Sequence, residues 1–242
     1  MAQCMTEMEI LMQERRNSGT SITSNKDFEK DGYLKVENIW DPEELYHPVP
    51  LERGQFNYRG SVDKFQHIPV EGQVDGSVSR YSHPQYRKIH SGVRKKLEKI
   101  LGKRLYNTYY YDRFYFPGQP LHKHADRDAC EISVTVHIST NLPDDLKDWP
   151  IKVKTPDTYT DKRKTAVLVP GEERSCILNP GDGMIYKGCE RPHWRDPMPS
   201  PRVRKRDQLL RRVPPTYYYH QIFFHYVLAD GLRAQMAWDQ TN

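Results

Sequence analysis

The sequence predicts a mainly β fold of the α+β class, in which an N-terminal helical part precedes two packed sheets of short strands. Three observations indicate this class. Residues 84–101 show one amphipathic helical pattern, several later segments alternate apolar and polar side chains, and clusters of Pro, Gly, Asn and Asp separate those segments. Many short strands after a helical part are typical of a double-sheet jelly roll with cupin-like architecture.

The predicted helices lie near the N-terminus. Residues 4–16 place apolar side chains among charges at helical spacing, and Pro42 begins a short helix with acidic residues in its first turn. The strongest helix is 84–101, in which apolar residues share one face, Lys and Arg occupy the other, and Gly102 ends the helix. Residues 47–82 predict a long polar loop with short strands, which either covers the mouth of a barrel or is a plain surface excursion.

The predicted strands are short and mostly lie after residue 100. Residues 130–138 alternate four aliphatic side chains with polar ones, as expected of a strand with one buried face. The longest predicted strand is the aromatic segment 104–116. The remaining predicted strands are 32–40, 149–154, 165–170, 175–178, 184–188 and 217–229. No fixed-period repeat is present, so we expect an N-terminal helix and linker at 1–26 and one jelly-roll domain at 27–242.

The composition is that of a folded, polar protein. The 242 residues are 36% hydrophobic, 29% charged and 11% aromatic, which excludes a disordered chain. None of the four cysteines forms a CxxC pair, so neither a disulfide scaffold nor a zinc knuckle is expected. The first residues lack a basic region followed by an apolar one, and no apolar run is long enough to span a bilayer. We therefore expect a cytoplasmic protein without a membrane partner.

A candidate metal site lies in residues 117–126, which begin with a Pro-Gly turn. In an extended segment, residues two apart share a face, so His124 and Asp126 would bring an imidazole and a carboxylate to one point. Taken alone, a His-x-Asp triplet also occurs as a pair on a surface loop. A second histidine on another inward-facing strand would complete the facial triad that holds non-haem Fe(II) and leaves three coordination positions open.

The best candidate for that second histidine is His193, which follows a strand-turn-strand pattern. Two other histidines are rivals: His137, whose regular alternation is that of an ordinary strand position, and His225. His122 has the same strand parity as His124 but precedes the His-x-Asp pair, and we predict that it does not bind metal. The predicted metal ligands and catalytic residues are therefore His124, Asp126 and His193.

The order of these segments resembles that of the Fe(II)/2-oxoglutarate-dependent dioxygenases. A Gly-containing turn before His-x-Asp, a β-rich middle, a Pro-Gly-Asp-Gly turn and a distal histidine follow one another from about residue 27 to the C-terminus. Tyr115 and Gly118 match the Tyr-x-x-Gly that precedes the metal motif in the prolyl-hydroxylase branch. Residues 27–36 resemble the opening strand of many members, and residues 221–227 resemble the closing strand of bacterial and phage members.

The resemblance implies a fold, cofactors and an activity. The fold would be a double-stranded β-helix (a jelly roll, cupin-like) with the N-terminal helices packed on one sheet. The cofactors would be Fe(II), 2-oxoglutarate as co-substrate and O₂, with ascorbate as a further candidate. The activity would be hydroxylation of a small molecule or a protein side chain.

The resemblance also implies a cation for the far carboxylate of 2-oxoglutarate, because an unpaired charge in a dry pocket is costly. Many family members place Arg or Lys on the closing strand, where this chain has Gln221 instead. Arg195 lies two residues after His193, so a strand would point both inward, and we prefer it as the anchor, with the Tyr115 hydroxyl as a second contact. The alternatives are an anchor at Arg202 or Arg204, and a purely structural ion pair of Arg195 with an aspartate.

Two other classes of function stay open. A cupin-type metal enzyme would need the triad but no 2-oxoglutarate. A non-catalytic barrel would bind an anionic partner, such as nucleic acid, through the basic residues in 202–212. The net charge of +5 permits such a partner without requiring one. No nucleic-acid-binding motif accompanies this segment or the basic helix face at 94–96, so we expect both to be solvated surface.

Overall fold

The computed structural model describes residues 25–46, 67–68, 73–162, 165–201 and 217–239. The predicted helix at 4–16 and the residues Arg202 and Arg204 lie outside these ranges. The α-helices are α1 (Lys26–Asp31), α2 (Pro42–Tyr46) and α3 (Arg87–Leu101). Short 3₁₀ turns cover Pro84–Tyr86, Asp128–Cys130 and Ala234–Met236. No helix in the described ranges is both long and apolar enough to cross a lipid bilayer.

The described residues form strands in the order that the sequence predicts, with ends that differ by a few residues. The strands are β1 (Tyr33–Val36), β2 (His67–Ile68), β3 (Val78–Tyr81), β4 (Leu105–Tyr115), β5 (Leu121–His124), β6 (Ile132–Thr140), β7 (Ile151–Lys154), β8 (Thr158–Lys162), β9 (Thr165–Val169), β10 (Glu173–Cys176), β11 (Gly183–Tyr186), β12 (His193–Arg195) and β13 (Tyr219–Leu228). The sequence does not predict β8, because its Thr, Tyr and Asp residues lack apolar alternation.

Two antiparallel sheets and a hairpin organise these strands. The larger sheet has the order β1-β11-β6-β13-β4-β3-β2, and the smaller has the order β10-β7-β12-β5. The strands β8 and β9 pair only with each other. The two larger sheets face each other, since Ile151 and Val153 of β7 pack against Met184 and Tyr186 of β11. The predicted jelly roll, mainly β in an α+β arrangement, is confirmed.

The helices cover the outer face of the larger sheet, as predicted. The apolar face of α3, represented by Ile89, Val93 and Leu97, packs against Val134 of β6 and Phe224 of β13 in one cluster. The left-handed conformation of Gly102, with φ of 64°, ends α3, as the sequence predicts.

One element near the N-terminus differs from expectation. The reading of 27–36 as a single opening strand is wrong in its first half, because residues up to Asp31 belong to α1. The Asn25 side chain accepts a hydrogen bond from the Phe28 N–H, which starts the helix, and Gly32 ends it with φ of 74°. The chain then enters β1 at Tyr33. The division of the chain at residue 26 stays a prediction.

Strand β6 is buried on both faces, whereas its alternation predicts burial on one. Its aliphatic residues face the helices, but Ser133, Thr135 and His137 on the other face are also buried. The smaller sheet covers that second face. Polar side chains are therefore placed between the sheets, where each needs a hydrogen-bond partner or a ligand.

Buried histidines are a second feature of this interior. Burial lowers the pKa of His90 to about 3 and the pKa values of His137, His220 and His225 to about 4. His90 lies between α3 and the larger sheet, with one ring nitrogen 3.1 Å from the His225 carbonyl oxygen. These side chains are thus neutral in the folded protein at pH values where they would be protonated in the unfolded chain.

We expect the free energy of unfolding to fall as the pH decreases from 6 to 4.5. The folded pKa values lie below the unfolded value of about 6.5, so the unfolded chain binds more protons in this window, and the stability present above 6.5 is progressively lost. His90→Gln should reduce the slope by about 1.4 kcal/mol per pH unit, the value for one proton. Urea unfolding at several pH values would measure this, with the exposed His122→Gln as control. An unchanged slope for His90→Gln would show that His90 is already protonated in the folded protein.

Candidate metal centre

The structure brings the three predicted ligands together. His124 at the end of β5 lies directly opposite His193 at the start of β12, and their ring centroids are 4.3 Å apart. Asp126 lies two residues beyond β5, and its Oδ1 is 3.5 Å from His124 Nε2 and 3.6 Å from His193 Nε2. One possible donor atom from each of the three residues lies within 4.8 Å of the donor atoms of the other two.

Both histidines are fixed with Nε2 directed at the carboxylate. His124 Nδ1 is 2.7 Å from the His122 carbonyl oxygen, and His193 Nδ1 is 3.0 Å from the Arg191 carbonyl oxygen. A carbonyl oxygen only accepts, so each Nδ1 carries a proton, and in the neutral form of each ring the lone pair is on Nε2. Burial also lowers the pKa of His193, which favours the neutral ring. A metal-binding histidine usually donates its other ring N–H to a carbonyl or carboxylate oxygen in this way.

Asp126 is held from several sides. Its backbone N–H donates to the Gly188 carbonyl at 2.9 Å, and the Ser133 hydroxyl donates to Oδ2 at 3.1 Å. A side chain at Gly188 would collide here, since its Cβ would lie 2.2 Å from the Cys130 carbonyl oxygen and 2.6 Å from Asp126 Oδ2. Although burial alone would raise it, His193 and His124 hold the pKa of Asp126 well below its ordinary value. The carboxylate is therefore ionised over the physiological range.

The rival histidines lie elsewhere in the site. His225 stands behind Asp126, with Nδ1 2.9 Å from the Ser133 hydroxyl, so it supports the carboxylate through Ser133. Asp126, Cys130 and His225 also approach one another within 4.8 Å, but burial raises the pKa of the Cys130 thiol far above neutrality. A protonated thiol is a poor metal ligand. His122 is exposed at the surface of β5.

Arg195 lies between the sheets, and two of its nitrogen atoms have no hydrogen-bond partner among the described residues. It is 1% exposed, and Nη1 donates to the Trp149 carbonyl oxygen. Its guanidinium lies 4.5 Å from the Trp149 ring centroid and 4.9 Å from that of Tyr219. Nε and Nη2 are buried without an acceptor in the described part of the chain. The alternative of a structural ion pair finds no support there, because the neighbouring Asp196 pairs with Lys152 instead.

Further polar groups share this part of the interior. His137 stacks on Tyr219 with 4.1 Å between ring centroids, and its Nε2 has no partner among the described residues. Gln221 lies opposite His137 in the register of β13 and β6. Its Nε2 contacts Thr135 Oγ1, while its Oε1 has no described partner. Buried polar atoms without partners are rare in proteins, and several in one region indicate a place for a ligand or ordered water.

Tyr115 also lies in this region. Its ring meets that of Trp149 edge-on at 5.2 Å, and its hydroxyl accepts a hydrogen bond of 3.2 Å from Arg113. Three residues of this region, Arg113, Trp149 and Tyr219, are not predicted as site residues from the sequence. Strand parity would have identified Tyr219, which lies two residues before Gln221 on the same face of β13.

Ser133→Ala should weaken metal binding by roughly tenfold or more, because the hydrogen bond that supports Asp126 is lost. Loss of a group that hydrogen-bonds to a metal ligand typically lowers metal affinity by about 10- to 100-fold. Equilibrium dialysis with Co(II) would measure this. The control is Ser139→Ala on the same strand, whose buried hydroxyl has no partner among the described residues. Equal affinities for the two variants would mean that Ser133 does not help to hold the carboxylate.

No family model matches this chain, and no curated protein sequence matches it at a significant level. Solved structures do match it in fold. A prolyl-4-hydroxylase from Pseudomonas putida is 13% identical, with a TM-score of 0.51 over 82% of this chain and 95% of that one. The epimerase SnoN of nogalamycin biosynthesis, in complex with Fe³⁺, α-ketoglutarate and nogalamycin RO, is 11% identical, with a TM-score of 0.52 over 82% of this chain and 80% of that one.

A third similar structure is an oxidoreductase of the 2OG-Fe(II) oxygenase family from Burkholderia pseudomallei, which is 8% identical, with a TM-score of 0.51 over 84% of this chain and 92% of that one. At such low identities the similarity concerns the fold. This protein therefore has the double-stranded β-helix fold of the 2-oxoglutarate- and Fe(II)-dependent oxygenases.

Proposed function

We propose that this protein is an Fe(II)- and 2-oxoglutarate-dependent dioxygenase, an oxidoreductase that hydroxylates a small molecule or a protein side chain. The observation that carries the proposal is the pair of imidazole Nε2 atoms 3.5 and 3.6 Å from one carboxylate oxygen of Asp126. Two nitrogen ligands and one carboxylate on one side of a metal are the ligand set of non-haem Fe(II) oxygenases.

The residues present fit an iron ion. Both Nδ1–H groups donate to backbone carbonyl oxygens, so each ring can bind the ion through Nε2 without a change of tautomer. Asp126 is already ionised, so metal binding displaces no proton from it. When bound, iron and 2-oxoglutarate supply an oxidising chemistry that no protein side chain provides. The protein binds and orients the reactants and excludes water.

Arg195 is the proposed anchor for the far carboxylate of 2-oxoglutarate. Its unpartnered Nε and Nη2 are two donors on one planar group, the geometry that grips a carboxylate with two parallel hydrogen bonds. Trp149 and Tyr219 exclude water from the guanidinium, which strengthens such a contact. Arg195 thus takes the role that family members assign to a cation on the closing strand.

Gln221 and Tyr115 are proposed as supporting contacts. The Thr135 hydroxyl can donate as well as accept, so exchanging the oxygen and nitrogen of the Gln221 amide would keep that hydrogen bond and turn an N–H toward the carboxylate. The Tyr115 ring packs against Trp149, whose carbonyl oxygen holds Arg195. Tyr115 would then support the anchor by packing as well as through its hydroxyl.

The alternatives differ in what they require of Arg195. In a cupin-type enzyme that does not use 2-oxoglutarate, Arg195 Nε and Nη2, which have no partner among the described residues, would have no carboxylate to bind. A barrel that binds an anionic partner through 202–212 depends on residues outside the described ranges. We also propose a cytoplasmic location, because Cys130, Cys176 and Cys189 are free thiols, as is typical of a reducing compartment.

The direct test is anaerobic titration of the Fe(II)-loaded protein with 2-oxoglutarate. A weak visible charge-transfer band is expected when the keto acid chelates the iron, and the admission of O₂ should then release succinate. No band at saturating keto acid would contradict the proposal. Binding of metal without the band would favour the cupin-type alternative.

The individual ligands can be tested by substitution. His124→Ala, Asp126→Ala and His193→Ala should each abolish iron-dependent turnover and weaken Co(II) binding, since each removes one of three protein ligands. The matched control is His122→Ala, an exposed histidine on the same strand, which should bind metal as the parent does. Turnover at the parent rate in His193→Ala would require His137 or His225 to take its place.

Arg195→Ala should raise the 2-oxoglutarate requirement by roughly a hundredfold or more. The loss leaves a buried anion unpaired, at a cost on the order of 3–5 kcal/mol. Metal binding should persist, and Arg195→Lys should rescue only in part, because lysine keeps the charge but loses the planar fork. The exposed Arg174→Ala is the control. A large effect of Arg202→Ala or Arg204→Ala and none at Arg195 would place the anchor in the later segment.

A further inference from the structure

Gln73, just before β3, lies between the candidate metal centre and a second buried arginine. Its Nε2 is 2.7 Å from His124 Nε2, and its Oε1 is 3.1 Å from Arg113 Nη2. Arg113 is fully buried on β4, where Nε donates to the Ser79 hydroxyl at 3.0 Å and Nη1 donates to the Tyr115 hydroxyl. One carboxamide therefore bridges a fixed guanidinium and the metal-facing nitrogen of His124.

The two neighbours determine which way the carboxamide points. A guanidinium only donates, so it must face the amide oxygen. The other end of the amide is then the NH₂ group, which only donates, so His124 Nε2 is the acceptor and the ring proton lies on Nδ1, which faces the His122 carbonyl oxygen. The orientation follows from these hydrogen bonds and does not depend on telling nitrogen from oxygen by shape.

The contact uses the lone pair that a metal would need. A metal ion at His124 Nε2 would also meet the partly positive N–H₂ end of the amide, which is unfavourable. The Oε1 end is held by Arg113, which also donates to the Ser79 and Tyr115 hydroxyls and is thereby fixed on β4. Rotation of the amide about that end would release the lone pair of His124.

We propose that Gln73 is a positioning residue that caps His124 in the metal-free protein and must turn away when metal binds. The inference rests on the proposed metal site. Before metal binds, the Gln73 amide donates a hydrogen bond to the half-buried His124 Nε2. It lowers the apparent metal affinity because it competes with the metal for the same lone pair. Nothing in the family resemblance of the sequence assigns a role to this residue.

The test compares Co(II) affinity, measured by equilibrium dialysis of the full chain, across the parent and three variants. Gln73→Ala removes the cap and should tighten binding about three- to tenfold, the range expected from one net hydrogen bond. Gln73→Glu keeps the size but cannot donate to His124, and it should bind Co(II) at least as tightly as Gln73→Ala. The control Gln85→Ala changes an exposed glutamine and should match the parent.

A second measurement does not use metal. In the metal-free protein, the ¹⁵N chemical shift of His124 Nε2 should move in Gln73→Ala and stay unchanged in Gln85→Ala, because only the first variant removes a donor to that nitrogen. Parent-like or weaker Co(II) binding in both Gln73 variants, or an unchanged shift, would overturn the cap. If the parent protein binds no Co(II), the proposed function fails. If the parent binds Co(II) and the Gln73 variants bind it with the same affinity, only the role of Gln73 is refuted.

Discussion

The position of the Asp126 carboxylate is the constraint on which the rest of the site depends. Its two oxygens have separate tasks: Oδ1 faces both histidines, and Oδ2 is held by Ser133. This division requires a close approach of the Asp126 loop to the end of β11, which only a glycine at 188 permits. An ionised carboxylate in this place is costly unless cationic or donor groups surround it, so the neighbouring strands must supply them.

The double-sheet architecture supplies them because it buries both faces of its central strands. An ordinary half-buried strand sends its polar side chains into water. In β6 and β13 those side chains point at the smaller sheet instead, and Ser133, His137 and Gln221 are thereby placed in an interior that must satisfy each of them. The helices on the opposite face carry the apolar packing, so the inner face is free to hold polar groups.

Most of the fold, and the core of the site, could be predicted from local patterns. Local patterns can be identified without knowledge of the tertiary structure, and these include the apolar periodicity of α3 and β6 and the His-x-Asp spacing. The resemblance of residues 27–36 to the opening strand of the family is wrong for residues 27–31, which form the short capped helix α1, whereas the alternation that begins at Gly32 does lead into β1. Trp149 and Gln73 could not be identified as site residues from the sequence, because their roles depend on contacts between distant segments.

The distribution of charge between the sheets connects the metal site with the proposed co-substrate. Asp126 is a buried ionised group, and Arg195 is a cation without a carboxylate partner in the described chain. On the proposed function, a divalent ion compensates the first and the far carboxylate compensates the second. One aspartate, one dication, one guanidinium and the 2-oxoglutarate dianion then carry no net charge together. An interior that excludes water favours such neutrality, because an uncompensated charge there costs several kcal/mol. Metal and co-substrate are therefore each expected to favour the binding of the other.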